Sequence, residues 1–365
     1  MKSVHQYDDK VVIPALTQQL DIFAGTDLEI KLPENTYFNA PEIDLSIYDL
    51  FIVCLSGGKD SIASYLRLLD LGVEKSKIEL WHHKIDEEND PFMDWVFMED
   101  YVVKFAQAFD TPIYFSWLDG GFRGEMMKNN SYSRPHFVET PEGLIKLERD
   151  LKRSKPGTRM KFPQQAASLQ TRWCSSALKI DVGRRALNNQ ERFDGKNICF
   201  ITGERREESP NRSKYNQLEP HPCDRRAGLK ARRVDWWKNV IHFTEAQVWA
   251  LIEKYKVTAP VPYRLGWGRS SCQTCIFNSP KIWSTIACYF PERAKMIAQY
   301  ENMMNCTISR KQIDVLSLSN GVEPFDIQDM EALIQAKFKE YTLPMFTDNW
   351  KLPAGAFNTE GCGSL

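Results

Sequence analysis

The clearest pattern along the chain is an apolar run at 48–55 that stops at a glycine pair and gives way to apolar residues at helical spacing over 62–71, closed by Gly72. This predicts a strand, a tight loop and a helix. Further apolar runs at 78–82, 112–117 and 197–202 predict three more strands, and helical spacing over 92–109 and near 177–188 predicts helices between them. Strands alternating with helices indicate an α/β fold with a mostly parallel sheet covered on both faces. Thr244 with Gln247 forms a capping-box pattern that opens a helix through Tyr255, and the chain beyond it reads as mainly helical. Two stretches interrupt the pattern. The first 45 or so residues, broken by Pro14, Pro33 and Pro41, read as an extension packed on the main domain. The stretch 120–170, rich in Lys, Arg, Gly and Pro, reads as a long loop that is either functional or disordered. The expected divisions are an extension over 1–46, a core over 47–260 and a mainly helical region over 261–365.

Composition narrows the class. With 365 residues the chain can bury a sizeable core, and a formal net charge of -1 excludes a uniformly basic coat, so any polyanion site must be a local patch. No apolar run approaches the roughly 18 to 20 residues of a membrane span, and residues 1–10 are too polar for a signal peptide. A cytoplasmic protein without a membrane partner is expected. The nine cysteines are scattered, with one close pair, Cys272 and Cys275, which points to a metal, a cluster or redox chemistry rather than a secreted disulfide framework.

The strongest chemical signal is Ser56-Gly57-Gly58-Lys59-Asp60-Ser61, between the first strand and its helix. Backbone N–H groups and the positive end of the helix dipole converge there on one point that suits an anion. Gly57 and Gly58 leave room for close approach, Ser56 and Ser61 offer hydroxyl donors, Lys59 adds positive charge, and Asp60 suits a magnesium ion bridging phosphates. The alternative is an ordinary glycine turn before a helix. The Walker spacing is absent.

This hexapeptide resembles the PP-loop of ATP pyrophosphatases. Three later segments resemble, in order, motifs of the phosphoadenosine phosphosulfate (PAPS) reductase family: Thr171-Arg172-Trp173-Cys174 with Leu178-Lys179; Thr202-Gly203-Glu204-Arg205-Arg206-Glu207-Glu208-Ser209 with Arg212; and the stretch from Gly266 to Cys275. The resemblance covers roughly 51–277. It implies the adenine nucleotide alpha hydrolase-like fold, ATP with magnesium as ligands, Gly203 beside the nucleotide, and Lys59, Asp60, Arg205 and Arg212 as catalytic candidates. For Arg205 and Arg212 the alternative is a structural ion pair with Glu204, Glu207 or Glu208.

Within the family, sulfonucleotide reductases resemble this loop poorly and bear a terminal Glu-Cys-Gly-Leu/Ile-His segment. Here the loop is intact and the tail reads Glu360-Gly361-Cys362-Gly363-Ser364-Leu365, so Cys362 is a doubtful nucleophile. An intact loop is similar to those of enzymes that release pyrophosphate from ATP, adenylate an oxygen and let a sulfur nucleophile replace it. The ATP-pyrophosphatase subunit of DNA phosphorothioation systems is the nearest type. That likeness implies DNA or RNA as acceptor, and a cysteine desulfurase and DNA-processing proteins as partners. Rival readings are a sulfonucleotide reductase, a sulfate adenylyltransferase small subunit and a regulatory or scaffold protein that binds a nucleotide without turning it over.

Cys174, Cys272 and Cys275 are the candidate ligands of an iron–sulfur cluster, with zinc or plain reduced thiols as alternatives and Cys223 or Cys288 as a possible fourth ligand. Cys54 and Cys199 read as buried small hydrophobes. Arginines and lysines over 205–233 and 123–159 are candidates for gripping a phosphate backbone, with charged, solvated loops as the alternative. Trp236, Trp237 and Trp267 could stack bases, although core packing explains them as well, and His82 and His83 end the second strand on the expected nucleotide side.

Overall fold

The computed structural model describes residues 35–87, 91–166, 168–227 and 231–359. One sheet organises them: β1 (Leu50–Cys54), β2 (Ile78–His83), β3 (Ile113–Leu118), β4 (His136–Thr140), β5 (Gly143–Leu147), β6 (Asn197–Ile201), β7 (Leu218–Pro220) and β8 (Arg233–Trp237). Their spatial order is β5-β4-β3-β2-β1-β6-β8-β7. The centre, β3-β2-β1-β6-β8, is parallel, whereas β4 pairs antiparallel with β3, β5 antiparallel with β4, and β7 antiparallel with β8. The expected parallel sheet is therefore mixed, with antiparallel edges. Short returns make this possible: Pro141 and Glu142 close the β4–β5 hairpin, with Thr140 Oγ1 donating to the Gly143 carbonyl at 2.8 Å.

Helices cover both faces. They are α1 (Lys59–Asp70), α2 (Met98–Ala108), α3 (Gly121–Met126), α4 (Asp181–Asn188), α5 (Glu245–Lys254), α6 (Val261–Arg264), α7 (Pro280–Tyr289), α8 (Pro291–Met304), α9 (Val315–Ser319) and α10 (Met330–Gln335). A π-helical turn, Ser176–Ile180, leads into α4. Alternation along β1 divides the core: Phe51 and Val53 join the large cluster beneath α1 and α2, while Ile52 faces a smaller one with Trp81, Ala186, Leu187, Ile198 and Phe200. The large cluster runs without a break from Tyr48 to Tyr341, so the C-terminal helices share the core of the sheet.

Two elements differ from expectation. The helix expected over 92–109 begins only at Met98. One oxygen of Asp86 accepts from the backbone N–H groups of Phe92, Met93 and Asp94 at 2.7–2.9 Å, holding that segment as a loop. The stretch 120–170 is not one long loop either, because it contains α3 and the β4–β5 hairpin.

Beyond α10 the chain returns to the body. Thr258 donates to the Met345 carbonyl, Thr347 to that of Lys256, and Gly355 to that of Tyr263. A Cβ at Gly355 would stand 2.1 Å from the Trp267 carbonyl, so this closing segment presses directly on the Gly266–Trp267 backbone. Of the N-terminal extension, residues 35–46 are described, and Tyr37 pairs with Leu218 on the edge strand β7.

Candidate functional site

The strand order reverses between β1 and β6, with β2 and β3 to one side and β8 to the other. In open α/β sheets such a switch leaves a crevice at the carboxyl ends of the strands. Two of the sequence motifs lie there. Residues 56–58 link β1 to α1, and 202–205 follow β6.

The loop is pinned from several directions. Gly57 has φ +77°, and a Cβ there would meet Met98 Sδ at 2.4 Å. A Cβ on Gly203 would approach the Asp60 carbonyl oxygen to 2.7 Å, so the end of β6 touches the first turn of α1. Both positions require glycine for close approach, and Gly57 also for its backbone conformation. Gly58 leaves ordinary contact distances to Ser270 and Tyr263. It is the N-cap of α1 and supplies no side chain to the first N–H groups. The Ser56 N–H and hydroxyl both lie 3.2 Å from Ser61 Oγ, which in turn donates to the Gly58 carbonyl at 2.9 Å. Ser56 is exposed, so the loop reaches solvent at its start.

Lys59 does not extend towards open space. Its ammonium is buried beside the Gly268 carbonyl at 3.4 Å, Asp60 at 3.6 Å, Glu245 at 3.7 Å and the face of Tyr263. Burial works against its charge, but Tyr263, Asp60 and Glu245 outweigh it and hold its pKa above the ordinary lysine value. Lys59 thus ties 266–271 to the start of α1. Asp60 accepts from Arg205 Nε at 2.5 Å, and Arg205, itself 2% exposed, also reaches Glu207 at 2.5 Å. With its two oxygens turned to Arg205 and Lys59, Asp60 does not stand as a ready magnesium ligand. Arg212 pairs with Glu208. Both arginines therefore occupy ion pairs of the kind weighed as the alternative.

The cysteine pair is drawn to the same end of the sheet. Trp95 Nε1 donates to the Ser271 carbonyl at 2.9 Å, and the Thr274 N–H donates to that of Met93 at 3.1 Å, fastening the 91–97 loop to the 271–274 turn. Burial and then Cys275 push the Cys174 thiol up to about 11, and burial with Asp94 raises Cys272 well above the ordinary thiol range. The three candidate thiols are electrostatic neighbours. Even so, among the described residues no group of three or more His, Cys, Asp or Glu side chains is placed to hold a metal ion. Cys223 lies elsewhere, against Asn188 and the Arg184 carbonyl, and Cys288 is exposed. Cys199 is buried in the sheet as expected, and Cys54 is half-buried. Cys362 lies outside the described residues.

No protein-family model matches this chain, and no curated protein matches it significantly. Its chemistry must therefore be read from its own geometry.

Sequence reasoning missed the carboxylates of the 83–97 segment. Burial raises Asp86 to about 6 against its three backbone donors, and burial with Asp86 raises Asp94 to about 7. The second oxygen of Asp86 is buried without a partner. Both line a cavity of about 40 Å³ with His82, Trp95 and Met98, room for a water or two and not for a nucleotide. Asp86 lies three residues past the carboxyl end of a central strand, and that position was the available signal. His82 Nδ1 bonds the Leu55 carbonyl at the foot of the loop and His83 Nδ1 bonds Ser116 Oγ, each at 2.8 Å. Tyr263, whose hydroxyl accepts from the Lys59 N–H at 3.2 Å, gave no sequence signal.

The basic and aromatic segments are mostly structural. Arg226 and Arg233 pair with the fully buried Asp235, Arg232 donates to carbonyls of Leu187 and Cys223, and Arg159 and Lys128 share Glu125. Trp237 and Trp267 are buried, and Trp236 Nε1 donates to Thr202 Oγ1, so the core reading of these rings holds over base stacking. No helix among the described residues is long and apolar enough to cross a membrane.

Proposed function

We propose that this chain is a PP-loop ATP pyrophosphatase of the PAPS reductase type, which takes Mg-ATP as substrate and releases pyrophosphate to activate a nucleic-acid oxygen for replacement by sulfur. The observation that carries the reading is Ser56–Ser61, an intact SGGKDS sequence joining β1 to the N-terminus of α1 at the point where the strand order reverses. The glycine at 203 and the packing of 266–271 over Gly58 add support, since two further motifs then flank the loop.

In this reading the N–H groups at the start of α1 and the hydroxyls of Ser56 and Ser61 hold the departing pyrophosphate. An acceptor oxygen attacks the α-phosphorus, the bond to the bridging oxygen breaks, and pyrophosphate leaves with its magnesium. The adenylated oxygen later departs with AMP when a sulfur nucleophile forms the new bond. Arg205 keeps Asp60 and the first turn of α1 in register, and Lys59 secures the covering segment, so both act as positioning residues.

Binding of a fluorescent ATP analogue tests the proposal. Removing both hydroxyls in a Ser56→Ala, Ser61→Ala variant should weaken binding about tenfold or more, since a hydrogen bond to a charged group contributes about 1.5–3 kcal/mol. Unchanged affinity in a folded variant would place the nucleotide elsewhere.

A further inference from the structure

His136, at the start of β4, is completely buried, and neither of its ring nitrogens has a hydrogen-bond partner. Native proteins pair nearly all such groups, so an orphaned imidazole demands an explanation. Its electrostatic neighbours are Arg185 on α4 and Arg149 just past β5, and together with burial they hold its pKa down at about 3. Both arginines are only half-buried, and each has a buried Nε without a partner. The Nη2 of Arg185 donates to the Leu147 and Glu148 carbonyls at 3.2 Å. Burial and then Arg149 lower the Arg185 pKa, opposed by Asp181.

The carboxylates that could answer this charge are engaged elsewhere. Glu148 pairs with Lys146 at 2.6 Å and Asp150 with Arg153 at 3.4 Å, which leaves Asp181 as the acid acting on Arg185. The hairpin and α4 therefore bring together two guanidinium groups and an imidazole with unused donors and too little negative charge. Other arginines are met by carboxylates, as Arg205 is by Asp60 and Arg226 by Asp224, or, like Arg232, by several carbonyls at once.

We infer that Arg149 and Arg185, backed by His136, form an oxyanion site for a phosphate group between the β4–β5 hairpin and α4. Guanidinium groups suit phosphate oxygens because their parallel N–H groups match the oxygen spacing. The phosphate belongs either to a nucleic-acid backbone or to a free phosphate ion, and the two share the same recognition chemistry. The site is separate from Ser56–Ser61, and the inference does not depend on ATP turnover.

The test uses the full chain without ATP. Fluorescence anisotropy with a single-stranded DNA oligonucleotide, and thermal melting with added inorganic phosphate, are compared between the wild type and an Arg149→Ala, Arg185→Ala variant. For a backbone phosphate, the variant should bind the oligonucleotide about tenfold more weakly, with the slope of log affinity against log salt reduced by about 0.7, the value for one phosphate contact on a single strand. For a free ion, phosphate should raise the wild-type melting temperature and leave that of the variant unchanged. Either result supports the site. An Arg149→Lys, Arg185→Lys variant guards against misfolding, since it keeps the charge while losing the fork, and should also bind more weakly than wild type. Equal oligonucleotide binding and equal response to phosphate in wild type and folded variants would overturn the inference.

Discussion

Arg205 shows how much of the site rests on single side chains. It is almost fully buried, and its guanidinium joins Asp60 on α1 to Glu207 beyond β6, so one residue holds two sides of the crevice together. Arg205→Ala would leave Asp60 facing Lys59 alone and should destabilise the protein by roughly 3 kcal/mol, the usual scale for breaking a buried pair from one side, measured by urea unfolding. Gly203→Ala would drive a methyl group into the Asp60 carbonyl. It should cost about 1–3 kcal/mol in the same assay and shift the loop out of position. Lys59→Met keeps the length of the side chain but removes the ammonium that meets Gly268 and Glu245, so amide hydrogen exchange in 266–271 should quicken while that of β2 and β3 is unchanged.

At the scale of elements, β1, β2, β3, β6 and α1 were legible because burial on both faces of a parallel sheet writes continuous apolar runs into the sequence, whereas β8, interrupted by Arg233 and Asp235, was missed. Thr244 was equally clear, and its hydroxyl does accept from the Gln247 N–H at 3.2 Å to cap α5. Thr244→Ala should lower stability by about 1 kcal/mol in urea unfolding. Besides β8, what the pattern hid were the edges. In β5 the burial alternates only weakly, and β7 has three residues, so neither writes a strong period. The start of α2 was misplaced because helical spacing continues upstream through a segment that Asp86 holds by its backbone. Of the site, the glycine loop was readable from local sequence. The partners of Lys59, Asp60 and Arg205 were not, because Tyr263, Glu245 and Gly268 reach them from far along the chain.

The whole molecule carries a balance of buried titrating groups. Burial holds His83 and His136 near about 3 and His221 near about 4. Each binds a proton more readily when unfolded, so its contribution to stability is complete above about pH 6.5 and is lost as the pH falls towards 3–4. Asp86 and Asp94, raised to about 6 and 7, act in the opposite sense and weaken the fold as the pH rises from about 4. Between pH 4 and 6 these three histidines, joined by the buried His82, whose pKa burial also lowers, oppose two aspartates. Stability should therefore rise as the pH climbs from about 4 to 6 and level off by about pH 7, as read from urea unfolding across that range.

The most direct test of the central claim is anaerobic measurement of pyrophosphate release from Mg-ATP, with and without DNA or RNA, in the wild type and a Ser56→Ala, Asp60→Ala variant. Release that is stimulated by one nucleic acid and lost in the variant is the predicted result. No release above background with any nucleic acid, from wild-type protein that is folded and binds the ATP analogue, would contradict the assignment and favour a protein that holds a nucleotide without turning it over.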